Sequence, residues 1–138
     1  MTKANDPAAP IDAKRLYRNA LALFPTGVAV ITSVTPDGEK LGATVSSFTS
    51  VSLEPPLVLF SMARSASAIS AWLGVDAFAV NVLDERQSEV STRFARSRSA
   101  KWSGVIPLLS ETTGAPLLPD ALAWFECRTC WTRFRGDL

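Results

Sequence analysis

The chain has 138 residues, of which 47% are hydrophobic and 20% charged, and this composition is that of one globular domain with its own core. Its formal net charge of +1 argues against a nucleic acid partner, since nucleic-acid binders carry a basic excess. It contains no histidine, which excludes Ser-His-Asp catalysis and removes the commonest metal ligand. No apolar run reaches the roughly 20 residues that cross a bilayer, and the N-terminus lacks the apolar core of a signal peptide. We therefore expect a cytoplasmic protein with no membrane partner.

The N-terminal part combines an arm and a helix. Residues 1–10 mix proline with alanine and polar residues, and we expect a flexible arm before a single domain at 11–138. Asp12 is placed to cap a helix that continues to Leu23, since apolar residues recur there at spacings of three and four. One face of that helix should pack on the body of the domain.

Several runs of residues have the composition of strands. Residues 28–34 are rich in β-branched side chains, and the turn sequence TPDGEK at 35–40 predicts a hairpin with the segment that follows. Residues 57–62 read LVLFSM and residues 78–83 read FAVNVL, which predicts two further strands, the first of them buried. A last strand is expected at 122–134.

Two short helices are predicted between these strands. Ser67 is expected to cap a helix that ends at Leu73, and Asp84 to cap a second helix that carries Phe94. The region 103–119 is rich in proline and glycine and should be a loop with at most one short strand. Short strands and short helices in this proportion predict a mainly β fold, a small β-barrel with helical decoration.

The two cysteines, Cys127 and Cys130, form one CxxC motif. There is no second pair and no histidine to complete a tetrahedral zinc site, so we expect no metal. Both fall within the predicted last strand, where residues three apart project to opposite faces and cannot meet in a disulfide. We interpret them as ordinary strand residues.

The segment 41–62 carries the strongest ligand signal in the chain. It places hydroxyl side chains among apolar residues that should be buried, and an unpaired buried hydroxyl costs about 1–3 kcal/mol. Two interpretations remain open: a strand and turn whose hydroxyls bond the nearby backbone, or a cradle for a polar ligand. The hydroxyl residues are Thr44, Ser46, Ser47, Thr49, Ser50, Ser52 and Ser61.

Six blocks of the sequence carry a family resemblance. They are FPTGVAVITS at 24–33, GATVSSFTSVSLEPPLV at 42–58, FAVNVL at 78–83, RFA at 93–95, KW at 101–102 and GAPLLPDALAWFEC at 114–127. In residues, order and spacing they resemble the flavin reductase family. The resemblance implies an FMN-binding split β-barrel, usually a homodimer, that passes hydride from NADH or NADPH to FMN or FAD. Many members are the reductase component of a two-component monooxygenase, so such an enzyme is an implied partner.

The resemblance also implies which residues hold the flavin. Thr44, Val45, Ser46 and Ser47 would line the ring, and Ser50, Val51 and Ser52 would lie near its polar edge. Ser61, Arg64 and Ser67 resemble the segment that reaches the phosphate, and Lys101 resembles a further phosphate contact. Phe94 would border the flavin or only anchor its helix. No side chain is implied as a catalytic acid or base, because hydride transfer depends on positioning.

Some of these assignments have a plainer alternative. A helix that starts at Ser67 and the charge of Arg64 would suit an anion, but an ordinary cap beside a solvated arginine explains the same residues. The tryptophans are expected in the core or at an interface rather than on the cofactor. They are Trp72, Trp102, Trp124 and Trp131.

The C-terminal end departs from the family's pattern. Members continue past a Gly-Asp-His motif into closing strands, whereas here Gly136 and Asp137 precede Leu138, the last residue. This departure predicts a C-terminally truncated split barrel whose nicotinamide site lacks the family's histidine. Two alternatives to a reductase follow: a non-enzymatic flavin-binding protein, and an inactive fragment that acts only by association.

Overall fold

The computed structural model describes residues 12–96 and 100–138, and its fold is mainly β with short helices, as the sequence predicts. The arm predicted at 1–10 lies outside the described residues. The strands are β1 (Ala29–Val34), β2 (Lys40–Val45), β3 (Thr49–Leu53), β4 (Pro56–Leu59), β5 (Ala77–Val82), β6 (Leu108–Leu109), β7 (Pro116–Leu117) and β8 (Ala123–Arg128). The α-helices are α1 (Ala13–Leu21), α2 (Ile69–Trp72) and α3 (Ser88–Ala95), and a turn of 3-10 helix (Glu85–Gln87) precedes α3.

The main sheet is antiparallel, with the strand order β2-β1-β5-β8. β1 and β2 form the predicted hairpin, with Ala29 opposite Val45, and Gly38 takes a φ of +91° in its turn. β5 matches the strand predicted at 78–83 to within one residue and lies between β1 and β8. β2 and β8 are therefore the edge strands of this sheet.

Hydrophobic clusters cover both faces of the sheet. Because successive side chains of a strand alternate between faces, β1 places Ile31 on one face and Val30 on the other. Ile31 packs in a cluster with Val80 and Trp72, and Val30 packs in a cluster with Phe94. The second cluster lies under α3, which is how α3 is held against β1 and β2.

A fully buried amide, Asn81, joins the sheet to the segment after β7. Its Nδ2 donates to the carbonyl of Val30 and to Oγ1 of Thr32, each at 2.9 Å. Its Oδ1 accepts from the N–H of Leu118 at 2.8 Å. Every polar atom of this side chain has a partner, as burial requires, and the network fixes the loop before β8 against the sheet.

The helix α1 begins as predicted but does not pack as predicted. The side chain of Asp12 caps it by accepting from the backbone N–H groups of Lys14 and Arg15. The helix ends at Leu21 rather than Leu23, and none of its residues is buried. Tyr17, for example, is 68% exposed. An amphipathic pattern reveals an apolar face but not the surface that covers it.

The region around β4 and α2 differs from the prediction in two respects. β4 ends at Leu59 and is half-buried, whereas a buried strand was expected over 57–62. The predicted cap at Ser67 is wrong: Ala68 precedes α2 and makes no side-chain capping bond, and α2 ends at Trp72. Serine is common in turns as well as at caps, and here it lies in the loop that leads to the helix.

The second predicted cap is confirmed. The side chain of Asp84 accepts from the backbone of Arg86, and Gln87 completes a capping box by accepting from the backbone N–H of Asp84. The helix α3 follows and buries Phe94. The loop at 103–119 contains two short paired strands, β6 and β7, where one at most was expected.

The last strand is shorter than predicted. β8 ends at Arg128, and the next residue, Thr129, donates its N–H to the carbonyl of Asp76 at 2.9 Å and its hydroxyl to the carbonyl of Val75 at 3.2 Å. Cys127 therefore lies in the strand and Cys130 lies beyond it, so the placement of both in one strand is wrong; both thiols are free.

Two negative findings apply to residues 12–96 and 100–138. No helix there is long and apolar enough to cross a membrane. No group of three or more His, Cys, Asp or Glu side chains is arranged to hold a metal ion.

Candidate functional site

A cavity of about 400 Å³ lies where the end of β2 meets the segment after β4 and the end of α3. Its size is within the range of roughly 300–1,000 Å³ that is usual for small-molecule sites. Most of the residues predicted to hold a flavin line it. They are Thr44, Val45, Ser46, Ser47, Ser61, Ser67, Phe94 and Lys101.

One wall of the cavity is closed by Ser47 and Ser61. The hydroxyl of Ser47 donates to the carbonyl of Ser61 at 3.0 Å and accepts from the N–H of the same residue at 2.9 Å. These two bonds tie the end of β2 to the end of β4, and they explain why β4 stops at Leu59: the backbone of Ser61 bonds a side chain instead of a neighbouring strand.

A second hydroxyl fastens the helix side of the cavity. Thr44 Oγ1 donates to the carbonyl of Ser91, which lies in α3, at 2.6 Å. Sequence reasoning left open whether the hydroxyls of this segment bond nearby backbone or serve a ligand. Thr44 and Ser47 do bond backbone, but the partners are 47 and 14 residues away, so these bonds join separate elements around the cavity.

Apolar side chains form the floor of the cavity. Val45, Trp72 and Phe94 line it and are at most 9% exposed. Trp72 packs edge-on against Phe60, with ring centroids 6.2 Å apart. Trp72 was expected to be a core aromatic; it is buried in the core cluster and also borders the cavity.

The charged side chains that line the cavity among the described residues are Arg96 and Lys101, and no Asp or Glu side chain lines it there. Nζ of Lys101 donates to the carbonyl of Gly42 at 2.8 Å. Burial lowers the pKa of Lys101, because a charged ammonium loses part of its hydration. The charged side chains of the lining are therefore cationic, which suits an anionic group.

Arg64 does not line the cavity. Its guanidinium donates to the carbonyl of Gly136 at 3.3 Å and lies 4.8 Å from the ring centroid of Phe134. Its backbone N–H donates to the carbonyl of Asp137 at 2.9 Å. Arg64 thus holds the segment 134–138, whose residue Leu138 borders the cavity. A phosphate contact for Arg64 stays a prediction.

The residues predicted for the polar edge of the flavin also lie outside the cavity lining. Ser50, Val51 and Ser52 belong to β3, which pairs only with β4 among the described strands. The register shifts between Ser50 and Ser52, and Val51 is 52% exposed. The cavity lining therefore gives no support to the prediction that these three residues lie near the polar edge of the flavin.

Sequence reasoning missed several residues of the lining, and two of them, Gly42 and Arg96, bear on its chemistry. Gly42 lies in the block 42–58 that carried the resemblance, but only the fold reveals that Phe94 and Lys101 meet there. Arg96 directly follows α3 and looks like a surface residue in the sequence.

Residues 21–137 match the family described as flavin reductase like domain. The FMN reductase (NADH) SmoA of Agrobacterium fabrum is 43% identical over 127 residues, which are 89% of this chain and 69% of SmoA. The chain spans about half of a longer relative, the stachydrine N-demethylase reductase subunit Stc3 of Rhizobium meliloti, at 42% identity over 82% of this chain and 49% of Stc3.

Solved structures agree with the sequence matches. The NADH:FAD oxidoreductase SgcE6 of Streptomyces globisporus, in complex with NAD and FAD fragments, superposes with a TM-score of 0.80 at 36% identity, over 94% of this chain and 79% of SgcE6. The styrene monooxygenase flavin reductase of Pseudomonas putida S12 has a TM-score of 0.73 at 37% identity, over 88% of this chain and 77% of that reductase. The chain belongs to the flavin reductase like domain family.

Proposed function

We propose that the chain is an NADH-dependent flavin reductase that binds FMN or FAD in the cavity between β2, the segment after β4 and α3. The observation that carries this proposal is the cavity itself, whose lining combines buried apolar side chains, hydroxyl groups and two cationic side chains in a chain of the flavin reductase family. SmoA and SgcE6 are both named for NADH and a flavin, and they favour NADH over NADPH as donor.

The residues of the cavity fit a flavin. Val45, Trp72 and Phe94 offer apolar surface for the faces of the ring system. Ser46 and Ser67 bring hydroxyl groups to the lining for its polar rim. Lys101 and Arg96, the cationic side chains of the lining among the described residues, suit the phosphate. When bound, the flavin supplies the hydride acceptor.

The protein's own contribution is to bind and to orient. Hydride transfer needs no acid or base from the chain, and it gains most from holding donor and acceptor at roughly 3–3.5 Å. Two hydrogen-bonded joints keep the walls of the cavity at fixed separation, the first between Ser47 and Ser61 and the second between Thr44 and Ser91. An apolar floor formed by Trp72 and Phe94 excludes water from one side of the ligand.

The reduced flavin would serve a separate oxygenase, as the name of the styrene monooxygenase flavin reductase describes for that relative.

We also propose that the chain is a homodimer in the cytoplasm. Its edge strand β8 exposes 39% of Trp124 and 43% of Phe125, and aromatic side chains of this kind are common where two subunits meet. Light scattering during size-exclusion chromatography measures the assembly state.

The experiment that tests the function has two parts. The purified chain is titrated with FMN and FAD by flavin fluorescence, and NADH and NADPH oxidation is then followed with and without added flavin. We expect flavin binding and flavin-dependent oxidation of NADH. Flavin binding without oxidation would instead identify a non-enzymatic flavin carrier. No binding and no oxidation would contradict both.

A further inference from the structure

Gly42 contacts two side chains of the cavity, Phe94 and Lys101, from the edge strand β2. We propose that Gly42 is a positioning residue that sets the place of the Lys101 ammonium, and thereby the protein's preference for a flavin that carries a phosphate. This inference rests on the proposed flavin site and adds a determinant of ligand choice to it.

The first contact of Gly42 is steric. Phe94 is 1% exposed, and a Cβ built on Gly42 would overlap Cδ1 and Cε1 of its ring. The helix α3 contacts β2 at two positions. Thr44 donates to the carbonyl of Ser91, and the ring of Phe94, about one helical turn further along α3, lies against Gly42. Any side chain at position 42 would therefore displace Phe94.

The second contact of Gly42 is polar. β2 is an edge strand, so carbonyl groups that do not face β1 are free to accept from elsewhere. Lys101 donates to the carbonyl of Gly42 at 2.8 Å and lines the cavity. This bond uses one of three ammonium protons and leaves two for a ligand. The cation is thus fixed by the backbone of a strand.

Both contacts act on the same short loop. Trp102 follows Lys101 and packs edge-on against Phe94, with ring centroids 5.0 Å apart. Nη1 of Arg93 donates to the carbonyl of Ser103 at 2.7 Å. A displaced Phe94 would shift Trp102, and Lys101 would lose its alignment with the carbonyl that holds it.

The test compares Gly42→Ala with Gly27→Ala, because a Cβ at Gly27 meets nothing within 4 Å. The quantity measured is the phosphate preference, defined as the Kd of riboflavin divided by the Kd of FMN. We expect Gly42→Ala and Lys101→Met each to lower this preference by about tenfold, the size of one charge-assisted hydrogen bond, and Gly27→Ala to leave it unchanged. In the Lys101→Met background, Gly42→Ala should lower the preference no further. Phe94→Leu should restore it in Gly42→Ala by making room for the methyl group.

Four results would overturn the inference. One is an unchanged phosphate preference in folded Gly42→Ala, and another is a further loss when that change is added to Lys101→Met. If Gly42→Ala does not fold, Lys101→Met decides: an unchanged preference would show that the ammonium held by the carbonyl of Gly42 does not select the phosphate, and it would contradict the inference. A wild-type chain that binds both flavins equally would overturn the inference while leaving the proposed function intact, whereas a chain that binds neither would overturn the proposed function.

Discussion

Ser47 and Ser61 are joined twice through a single hydroxyl group, which donates to the carbonyl of Ser61 and accepts from its N–H. The two residues are 14 positions apart, and the β3–β4 hairpin lies between them. The joint closes the loop that this hairpin makes and brings its two ends to one wall of the cavity. A side chain thereby takes the place of a strand partner at a point where β2 and β4 have ended.

Ser47→Ala should therefore lower both stability and flavin affinity. It leaves the N–H and carbonyl of Ser61 without their partner in a half-buried position, which costs about 1–2 kcal/mol in the free energy of unfolding. Flavin affinity should fall several-fold because the wall moves. Ser65→Ala is the matched control, since Ser65 is exposed and does not line the cavity. Denaturant unfolding and flavin titration measure the two effects, and equal behaviour of the two variants would disprove the role of the joint.

Arg64→Ala should leave the phosphate preference unchanged. The guanidinium is engaged by Gly136 and Phe134 rather than directed into the cavity, so its loss should loosen the segment 134–138 and weaken FMN and riboflavin equally. Arg64→Lys should behave like Arg64→Ala, because an ammonium lacks the planar group that lies over Phe134. Arg18→Ala on the exposed helix α1 is the control. A loss confined to FMN would support the phosphate contact that the resemblance implies.

Parts of the fold that depend on local sequence were predictable. The hairpin of β1 and β2 follows from β-branched runs around a Pro-Asp-Gly turn, and the cap at Asp84 follows from an aspartate placed before a helical pattern that carries Phe94. The ends of β4 and β8 were not predictable, because apolar residues continue past them. Each strand ends where a hydroxyl, Ser47 or Thr129, bonds the backbone of a distant segment.

The same distinction holds for the cavity. The residue types of the hydroxyl-rich stretch at 44–47 made a ligand site one of two interpretations, and this stretch lines the cavity. Gly42 could not be found that way, since its partner Lys101 lies 59 residues further along the chain. Ser50 to Ser52 look similar to residues 44–47 in the sequence, but the turn between β2 and β3 carries them away from the cavity.

Asn81→Ala should be among the most destabilising single changes in the sheet. It removes three hydrogen bonds, so the buried N–H of Leu118 loses its acceptor, and the carbonyl of Val30 and the hydroxyl of Thr32 each lose a donor, which together costs about 3 kcal/mol or more. Asn19→Ala, on the exposed face of α1, serves as the control and should change stability little. Thermal and denaturant unfolding measure the difference. A small loss in Asn81→Ala would mean that water replaces the amide.

The phosphate preference should fall at alkaline pH, and the fall should begin at a lower pH than for a lysine whose pKa is not lowered by burial. Burial lowers the pKa of Lys101 from its usual 10.5, so the free protein loses this charge at a pH below 10.5. A bound phosphate, dianionic well above its second pKa of about 6, favours the charged ammonium and raises the pKa of Lys101 in the complex. Above the pKa of the free protein, FMN binding therefore takes up a proton, and its affinity decreases as pH rises.

The phosphate preference is measured from about pH 7 to about pH 10.5, the range over which phosphate is dianionic and lysine titrates. Riboflavin carries the same ring system, so titration of the ring and gradual loss of stability cancel in the ratio. The wild-type preference should be level near neutral pH and then decline before 10.5, whereas Lys101→Met should give a low and level profile. A decline that persists in Lys101→Met would assign the titration to another group and remove Lys101 from the phosphate site.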